Sequence, residues 1–277
     1  MMGAKDIDSV DVFYLARGAD EDFAGKARRF VESYRRYPAG APHRLILLLK
    51  GFHNRAELRN GLAIFEGLDL STLNLPDDGF DIEAYYRAAI RSKARQVCFL
   101  NTSAVLNGDL WLAKFQYNLG RPGVALVGAT GSYEGAVGGK LQYPNPHVRT
   151  NAFMMARGDF LLTRQENRLA TKMDAYELEH GERSITAQCL ASGRFVLVVG
   201  KDGRGYPPYL WPTSGTFRQG LQENLLVRDG QTEFFAAAPV PLKQQLFHLA
   251  WREGDLVEDL RIWNPAPAAV PGSAMQS

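Results

Sequence analysis

Short apolar runs alternate with amphipathic segments along the first part of the chain. The apolar runs lie at residues 10–16, 44–49, 68–73 and 97–100. The segments whose apolar positions recur at helical spacing lie at residues 21–34, 55–65 and 82–92. Apolar runs of this length are typical of strands that are buried on both faces of a sheet. Because strand and helix alternate, the pattern predicts a parallel sheet with right-handed crossovers.

The alternation continues less regularly in the rest of the chain. Further apolar runs predict strands at residues 124–127, 151–156 and 195–199. Helices are predicted at residues 107–118, 159–169, 184–192 and 242–251, and a turn at residues 229–232. We expect an α/β protein with one domain over residues 1–262, a mostly parallel central sheet and helices on both faces. Residues 263–277 hold few large apolar side chains and are predicted to be disordered.

Composition and charge narrow the functional class without identifying it. The chain has 277 residues, of which 45% are hydrophobic and 22% charged, enough for a large core. Its net charge is +2, with Lys and Arg spread along the chain, so nothing points to a nucleic-acid partner. The two cysteines are far apart in apolar surroundings, which indicates a reducing compartment without disulfides or a zinc site.

Targeting signals and membrane spans are not recognisable in the sequence. The N-terminus lacks a basic segment followed by an apolar one, and the longest aliphatic run, residues 45–49, is too short to cross a bilayer. We therefore expect a cytoplasmic protein. A peripheral association with the inner face of the membrane is left open.

The most informative stretch is residues 97–103, which reads VCFLNTS. Its apolar half predicts a buried strand that ends abruptly in small polar side chains. In open α/β sheets, such strand ends form the ligand site at the carboxyl edge of the sheet. The residues at the ends of the first, second and fourth predicted strands, which would share this edge, are Ala16, Arg17, Lys50, Asn101, Thr102 and Ser103.

An acidic turn at residues 77–81, DDGFD, precedes the strand predicted at residues 97–100. Asp78 is expected at the N-cap of the helix that follows, because a carboxylate there accepts hydrogen bonds from free backbone N–H groups. The carboxylates of Asp78 and Asp81 would lie near the same edge of the sheet. Together with the strand ends, they outline a site for a nucleotide with diphosphate-like groups.

Two common nucleotide-binding motifs are absent. The glycine-dense residues 128–139 do not form a P-loop, because Glu134 stands where its first glycine should be and Leu141 follows Lys140. This stretch is either a mobile active-site loop or an ordinary surface loop. Residues 16–19, after the first strand, show no G-x-G-x-x-G pattern, which disfavours a dinucleotide-dependent oxidoreductase.

Several motifs together resemble those of bacterial GT-A-type glycosyltransferases. They are residues 78–82 (DGFDI), the strand end Phe99-Leu100-Asn101, residues 128–132 (GATGS) and residues 147–153 (HVRTNAF). The similarity spans roughly residues 10–235 and is greatest to enzymes of cell-surface polysaccharide assembly, including the rhamnan synthesis group. The resemblance implies a GT-A-like, Rossmann-like domain that transfers a sugar from a nucleotide-sugar donor to a glycan or a lipid-linked acceptor.

The resemblance also implies which residues meet the two substrates. The donor would contact the strand-end residues named above, the carboxylates of Asp78 and Asp81, and Arg149, whose guanidinium can neutralise a phosphate. Tyr206 and Trp211 are candidates for an acceptor pocket, because aromatic faces pack on sugar rings. The alternative for these two aromatic residues is that they cap the core.

The sequence departs from the family at its metal-binding position. In the family, the strand matching residues 97–100 usually ends in an Asp-x-Asp-like motif that holds a divalent metal, whereas Asn101, Thr102 and Ser103 supply no carboxylate here. Either Asp78 or Asp81 compensates and Mn²⁺ or Mg²⁺ binds, or Arg and Lys side chains neutralise the diphosphate. We favour metal-independent binding and predict no metal ligand.

Two residues are candidates for catalysis. Glu179, which follows Glu177 in a predicted turn before residues 184–192, resembles the late acidic position of the family and is expected to act as the base. The alternative is that this carboxylate stabilises the start of the next helix. His147 is a candidate for substrate contact, although a lone histidine is more often structural. A relative that binds nucleotide sugars or carbohydrates without catalysis is the alternative for the whole chain.

Overall fold

The computed structural model describes residues 9–135, 143–164 and 172–251. Four predictions therefore fall wholly or partly outside the described residues. They are the domain boundary at residue 262, the disordered tail at 263–277, the end of the glycine-dense stretch and residues 165–169 of the helix predicted at 159–169. The described helix there ends at Leu162, so residues 163 and 164 are not helical as predicted.

Strands and helices alternate along the described chain. The strands are β1 (Val10–Arg17), β2 (Arg44–Lys50), β3 (Leu70–Asn74), β4 (Gln96–Leu100), β5 (Val105–Leu106), β6 (Val124–Gly128), β7 (Gly131–Ser132), β8 (His147–Val148), β9 (Ala152–Ala156), β10 (Phe195–Val199), β11 (Gly205–Tyr206) and β12 (Val227–Arg228). The helices are α1 (Phe23–Arg36), α2 (Arg55–Ala63), α3 (Asp81–Arg91), α4 (Trp111–Leu119), α5 (Arg157–Leu162), α6 (Lys172–His180), α7 (Ile185–Ala191), α8 (Gly230–Ala237) and α9 (Val240–Trp251), with a 3₁₀ helix at Pro208–Thr213. Among the described residues, no helix combines the length and apolar content that a membrane span requires.

Eight strands form one sheet in the order β3-β2-β1-β4-β9-β6-β10-β11. Neighbouring strands run parallel, except that β9 is antiparallel to β4 and β6, and β11 is antiparallel to β10. The pairs β5–β12 and β7–β8 form separate two-stranded sheets. The predicted mostly parallel sheet is confirmed.

Helices pack on both faces of the sheet, as predicted. Successive side chains of a strand point to opposite faces, so β1 contributes to two cores. On one face, Phe13 packs in a cluster that includes Tyr85 of α3. On the other face, Tyr14 packs in a cluster that includes Phe30 of α1 and Trp111 of α4.

An aromatic group anchors β4 on the α3 face. The ring of Phe99, which is fully buried, lies 4.6 Å from that of Tyr85 and 4.7 Å from that of Phe160, measured between centroids. Phe153 and Phe13 complete the group at 5.1 and 5.4 Å. The strand that leads to Asn101 is therefore anchored by several aromatic rings in the core.

Two boundary predictions are wrong for local reasons. The helix predicted at 107–118 begins only at Trp111, because Leu110 before it has a left-handed backbone with φ of 57°. Residues 229–232 do not form an isolated turn. Asp229 and Thr232 instead bind each other's backbone in a capping box that starts α8.

Two further corrections concern candidate site residues. Asp78 is not an N-cap: α3 begins at Asp81 without a side-chain cap, and Asp78 pairs with Arg87 at 2.7 Å. The acidic stretch before residue 184 is the helix α6 and not a turn, so Glu179 lies in a last helical turn. Periodicity missed α6 because its apolar side chains are not concentrated on one side.

Phe99→Ala is expected to lower the free energy of unfolding by about 3–5 kcal/mol, because it leaves a cavity among the surrounding rings. Urea denaturation followed by circular dichroism measures the loss. Tyr117→Ala is the control, since this ring is 74% exposed, and should change stability by less than about 0.5 kcal/mol. Equal losses in the two variants would contradict the anchoring role of Phe99.

Candidate active site

The ends of β2, β1 and β4 lie side by side at one edge of the sheet. The register pairs Arg17 of β1 with Lys50 of β2, and Tyr14 of β1 with Leu100 of β4. The chain passes from β1 to β2 and β3 on one side and then returns to place β4 on the other side of β1. Ligands of open α/β sheets bind where the strand order reverses in this way. The structure thus brings Arg17, Lys50 and the loop after Leu100 to one edge.

Arg17 is the centre of a charged network at this edge. Its guanidinium donates two hydrogen bonds to Asp77, both at 2.9 Å, and one to Asp20 at 2.9 Å. Lys50, whose side chain is 1% exposed, donates to the Gly79 carbonyl at 2.8 Å, and its Nζ lies 3.4 Å from Asp77. The hydrogen bonds from Arg17 hold the pKa of Asp77 below its usual value. The network ties together the loops that follow β1, β2 and β3.

The loop after β4 is held by hydrogen bonds to the same network. Thr102 donates from Oγ1 to Asp20 at 2.8 Å, and its carbonyl accepts from the Tyr14 hydroxyl at 2.9 Å. The Asn101 side-chain oxygen accepts from the Ser103 N–H at 3.1 Å. These bonds fix the position of the predicted donor-binding loop before any ligand arrives.

The residues at this edge do not fit a divalent-cation site. Mn²⁺ and Mg²⁺ need several oxygen ligands, with carboxylates among them. The carboxylates of Asp20 and Asp77 are already bound by Arg17, and Asp78 is bound by Arg87. Across the part of the chain that the structure describes, no group of three or more His, Cys, Asp or Glu side chains is placed to hold a metal.

Asp81 and Glu179 form a carboxylate pair with unlike surroundings. Burial raises the pKa of Asp81 to about 6, with Lys50 opposing the rise and the carboxylates of Asp20 and Glu179 adding to it. Glu179 instead accepts two hydrogen bonds from Thr150, from the backbone N–H at 3.1 Å and from the hydroxyl at 2.9 Å. Neighbouring titratable groups with such different environments are typical of acid–base pairs.

Glu179 reaches this edge because β9 is antiparallel to β4. Leu100 pairs with Ala152 at the start of β9, so the residues just before β9 lie beside the end of β4. Thr150 is one of them, and the Asn151 carbonyl accepts from the Asn101 N–H at 2.9 Å. The helix-start alternative for Glu179 is wrong, because the N-cap of the next helix is Ser184.

Several buried polar atoms lack a hydrogen-bond partner in the described chain, and the Tyr85 hydroxyl among them lies near both carboxylates. They include Tyr85 Oη, His147 Nε2, Asn151 Nδ2, His180 Nδ1 and Arg218 Nε. Burial, with the charges of Asp81 and Glu179, raises the pKa of Tyr85 well above its usual value, so its hydroxyl stays protonated. An unsatisfied buried polar group costs about 1–3 kcal/mol. Such groups therefore indicate places where ligand atoms complete the hydrogen bonding.

His147 is completely buried beside this site. Its Nδ1 lies 2.8 Å from the Asn145 carbonyl oxygen, and its ring centroid lies 4.1 Å from that of His180. Burial lowers its pKa well below the usual value, so the ring is neutral near pH 7. His147 therefore has the environment of a neutral positioning group and not of a charged substrate contact.

Three of the predicted site residues do not face the edge where β1, β2 and β4 end. Trp211 is fully buried, contacts Tyr133 and donates from Nε1 to the Tyr206 carbonyl at 2.8 Å, so its ring is covered by protein and cannot stack on a sugar. Tyr206 lies in the outermost strand, β11, far from β1 in the sheet, and its hydroxyl donates to Asp202 at 2.7 Å. Ala16 is fully buried within β1. The predicted acceptor pocket at Trp211 is wrong.

Sequence inspection missed several residues of the site. Asp20 lies three positions beyond β1, so a search of every strand end for charged side chains would have found it. The sequence places Asp77 in the acidic turn but does not show its ion pair with Arg17. Tyr85 follows Asp81 by one helical turn and would have been found on the same face of α3. Arg218 stands in an irregular loop, where no periodicity gives its position.

No family model matches the chain, and no curated protein matches its sequence. A similar solved structure is galactosyltransferase LgtC with donor and acceptor sugar analogues, at 10% identity and a TM-score of 0.48, covering 91% of this chain and 99% of that one. Another is 4-diphosphocytidyl-2C-methyl-D-erythritol synthase from Anaerococcus prevotii, at 10% identity and a TM-score of 0.44. This match covers 62% of this chain and 81% of that one. A third is glucosyl-3-phosphoglycerate synthase from Mycobacterium tuberculosis with Mn²⁺, UDP and phosphoglyceric acid, at 15% identity and a TM-score of 0.37. This match covers 56% of this chain and 58% of that one. Identities this low do not transfer an activity.

Asp81→Asn is expected to stabilise the protein at neutral pH. The pKa of Asp81 is about 6 in the fold against 3.8 for an ordinary carboxyl, so the folded protein retains a proton that the unfolded chain releases, and stability falls as pH rises through this window. The variant should gain about 1–3 kcal/mol at about pH 7.5 and little at about pH 3.5, measured by urea denaturation.

The exposed Asp109 supplies the control for this prediction. Asp109→Asn should leave the unfolding free energy within about 0.5 kcal/mol of the wild type at both pH values. A gain for Asp81→Asn that does not depend on pH would show that its carboxyl titrates normally.

Proposed function

We propose that the protein is a glycosyltransferase that moves a sugar from a nucleoside diphosphate to a hydroxyl group of a glycan or lipid-linked acceptor. The observation that carries this proposal is the Asp81–Glu179 pair, located at the edge where the strand order reverses. The raised pKa of Asp81 brings its titration towards neutral pH, and two hydrogen bonds from Thr150 orient Glu179. Both properties suit acid–base chemistry at a nucleotide site.

The donor is proposed to bind across the ends of β2, β1 and β4. Arg17 supplies positive charge and N–H donors for the diphosphate, and the buried charge of Lys50 adds to the positive potential there. Asn101 and the hydroxyls of Thr102 and Ser103 supply hydrogen bonds for the sugar parts of the nucleotide. The side chain of Asp78 is taken up by Arg87, so it is left out of this donor site.

Glu179 is proposed as the base. The acceptor hydroxyl oxygen attacks the anomeric carbon, its proton passes to Glu179, and the bond from that carbon to the diphosphate oxygen breaks, releasing the nucleoside diphosphate. Two hydrogen bonds from Thr150 hold the carboxylate in one orientation. Asp81 and the protonated Tyr85 hydroxyl are available to hold sugar hydroxyls. The diphosphate charge is met by Arg17 and Lys50, since the edge does not offer a cation its ligands.

The biological setting belongs to the same proposal. The motifs at residues 78–82 and 147–153 resemble those of enzymes of surface-polysaccharide assembly, including rhamnan synthesis. Cys98 and Cys189 are both buried and free, which supports a reducing, cytoplasmic compartment. An acceptor linked to lipid would bring the protein to the inner face of the membrane.

Glu179→Gln should lower the turnover of the active nucleotide sugar by about 100-fold or more, because the amide cannot accept the acceptor proton. The measurement is release of nucleoside diphosphate from a panel of UDP-, GDP- and TDP-sugars, with the folded state checked by thermal unfolding. Glu177→Gln, on the same helix, is the matched control and should keep wild-type turnover.

The result of that assay also separates the two candidate functions. Near-normal turnover by Glu179→Gln would remove Glu179 from the chemistry. Donor binding by the wild type without turnover of any sugar in the panel would replace the transferase with a nucleotide-sugar-binding protein that lacks activity.

Arg17→Gln should weaken binding of the nucleoside diphosphate by about tenfold or more, because it removes a charged hydrogen-bonding partner of the phosphates. A chelator such as EDTA should change the wild-type affinity by less than about twofold. Calorimetry measures both effects, and Arg28→Gln is the control because Arg28 is exposed. Loss of binding with EDTA and unchanged binding by Arg17→Gln would indicate that a cation neutralises the diphosphate instead.

A further inference from the structure

We infer that a second subsite, beside Glu179, binds an oxyanion through the guanidinium of Arg218 and the side-chain amide of Asn151. The oxyanion is a carboxylate or phosphate group. Its assignment to the acceptor rests on the proposed function, whereas the subsite itself is argued from geometry and can be tested without turnover.

Two guanidinium groups pack against one phenylalanine ring at this subsite. Arg149 and Arg218 lie over the same Phe217 ring, with their guanidinium carbons 4.4 and 4.8 Å from its centroid. Arg149 pairs with Asp229 at 2.9 Å, and Arg218 pairs with Glu134 at 3.0 Å. Burial and the neighbouring Arg149 charge lower the pKa of Arg218, partly offset by Glu134. Each guanidinium is neutralised by its own carboxylate, which reduces the repulsion between the two positive charges.

The subsite contains N–H donors that nothing in the described chain accepts. Arg218 Nη1 donates to Glu134 and Nη2 donates to Gln231 at 3.2 Å, which leaves its Nε–H unpartnered. Asn151 accepts from Thr130 at its side-chain oxygen at 2.8 Å, which leaves its Nδ2 unpartnered. Both residues are only 5% exposed. Buried donors without acceptors match a ligand group that carries acceptor oxygens and no donor, which is an oxyanion.

Thr130 links Asn151 to Arg149, whose guanidinium packs on the same Phe217 ring as that of Arg218. The Thr130 hydroxyl donates to the Asn151 side-chain oxygen and accepts from Arg149 Nη1 at 3.3 Å. The Arg149 N–H donates to the Thr130 carbonyl at 3.0 Å. Asn151 adjoins Thr150, which holds Glu179. The Asn151 end of the subsite therefore lies next to the residue that orients the proposed base.

The loop that carries Arg218 is rigid and strained. Arg218 has a left-handed backbone with φ of 51°, a conformation that costs a non-glycine residue about 1–2 kcal/mol. Its N–H donates to the Gln222 side chain at 3.0 Å, and Gln222 in turn donates to the Thr232 carbonyl at 2.9 Å. Such strain persists where surrounding contacts enforce it and is concentrated at functional sites. The loop is built to present this guanidinium.

Position assigns the oxyanion to the acceptor. The donor half of the site is formed by the ends of β1, β2 and β4, whereas the subsite is formed by residues before β9 and in the loop that precedes α8. Glu134 and Asp229 balance the two guanidinium charges, so recognition depends on direct hydrogen bonds. An acceptor with a uronic acid or a phosphate near its reactive hydroxyl has this chemistry.

Calorimetric titration with D-glucuronate, inorganic phosphate, D-glucose and UDP tests the inference. Wild-type protein should bind glucuronate or phosphate saturably, and glucose at least about tenfold more weakly. Arg218→Gln should weaken anion binding about tenfold and leave UDP affinity within about twofold of wild type. Asn151→Asp, which keeps the side-chain shape and replaces the donor with a negative charge, should have the same effect and reports independently if Arg218→Gln does not fold.

Arg121→Gln is the control, since Arg121 is exposed and precedes β6, whereas Thr130 of the subsite follows that strand. Equal anion binding by the wild type and both variants, or no saturable binding of either anion, would overturn the subsite. Loss of UDP affinity in Arg218→Gln would assign the oxyanion to the donor diphosphate, as the sequence suggests for Arg149, and would overturn the acceptor assignment. None of these outcomes depends on catalysis, so a failed transferase assay leaves this test intact.

Discussion

The parallel register of β1 with β2 and β4 is the constraint on which the rest of the site depends. Ladder hydrogen bonds hold neighbouring strands about 4.8 Å apart, so the loops that leave these strands must begin side by side. Charged residues in those loops then interact whether or not a ligand is present. The fork from Arg17 to Asp77 and Asp20 is the result, and it joins the loops that follow β1 and β3.

Charge compensation divides the acidic residues of the edge into two groups. Asp20, Asp77, Asp78 and Asp229 are each paired with an arginine. Within the described ranges, Asp81 and Glu179 are not in salt bridges with Lys or Arg, and burial makes the Asp81 charge costly. Stability alone would favour a neutral side chain at position 81. A buried carboxylate that costs stability is typical of a functional site.

The two halves of the proposed site differ in how the chain builds them. The donor half is made from consecutive strand–helix units, each of which ends at the same edge. The acceptor half depends on β9. Because this strand runs antiparallel to β4, residues 149–151, which precede it, lie at the edge where β4 ends. Thr150 and Asn151 then connect the base to the oxyanion subsite. In the proposed assignment, donor and acceptor are recognised by separate parts of the chain, which the hydrogen bond from the Asn101 N–H to the Asn151 carbonyl joins.

The apolar runs of the sequence were sufficient to place β1, β2, β4, β6, β9 and β10 within one residue at each end, because strands buried on both faces have no polar position to obscure them. They also identified the edge, since parallel strands end together. They did not give the direction of β9, because an apolar run is the same in a parallel and an antiparallel strand. The raised pKa of Asp81 and the position of Arg218 depend on residues distant in sequence. The sequence by itself thus determined the strands and the edge at which they end. Only the tertiary structure decided which side chains are buried together at that edge, because burial and charge proximity arise from contacts between distant parts of the chain.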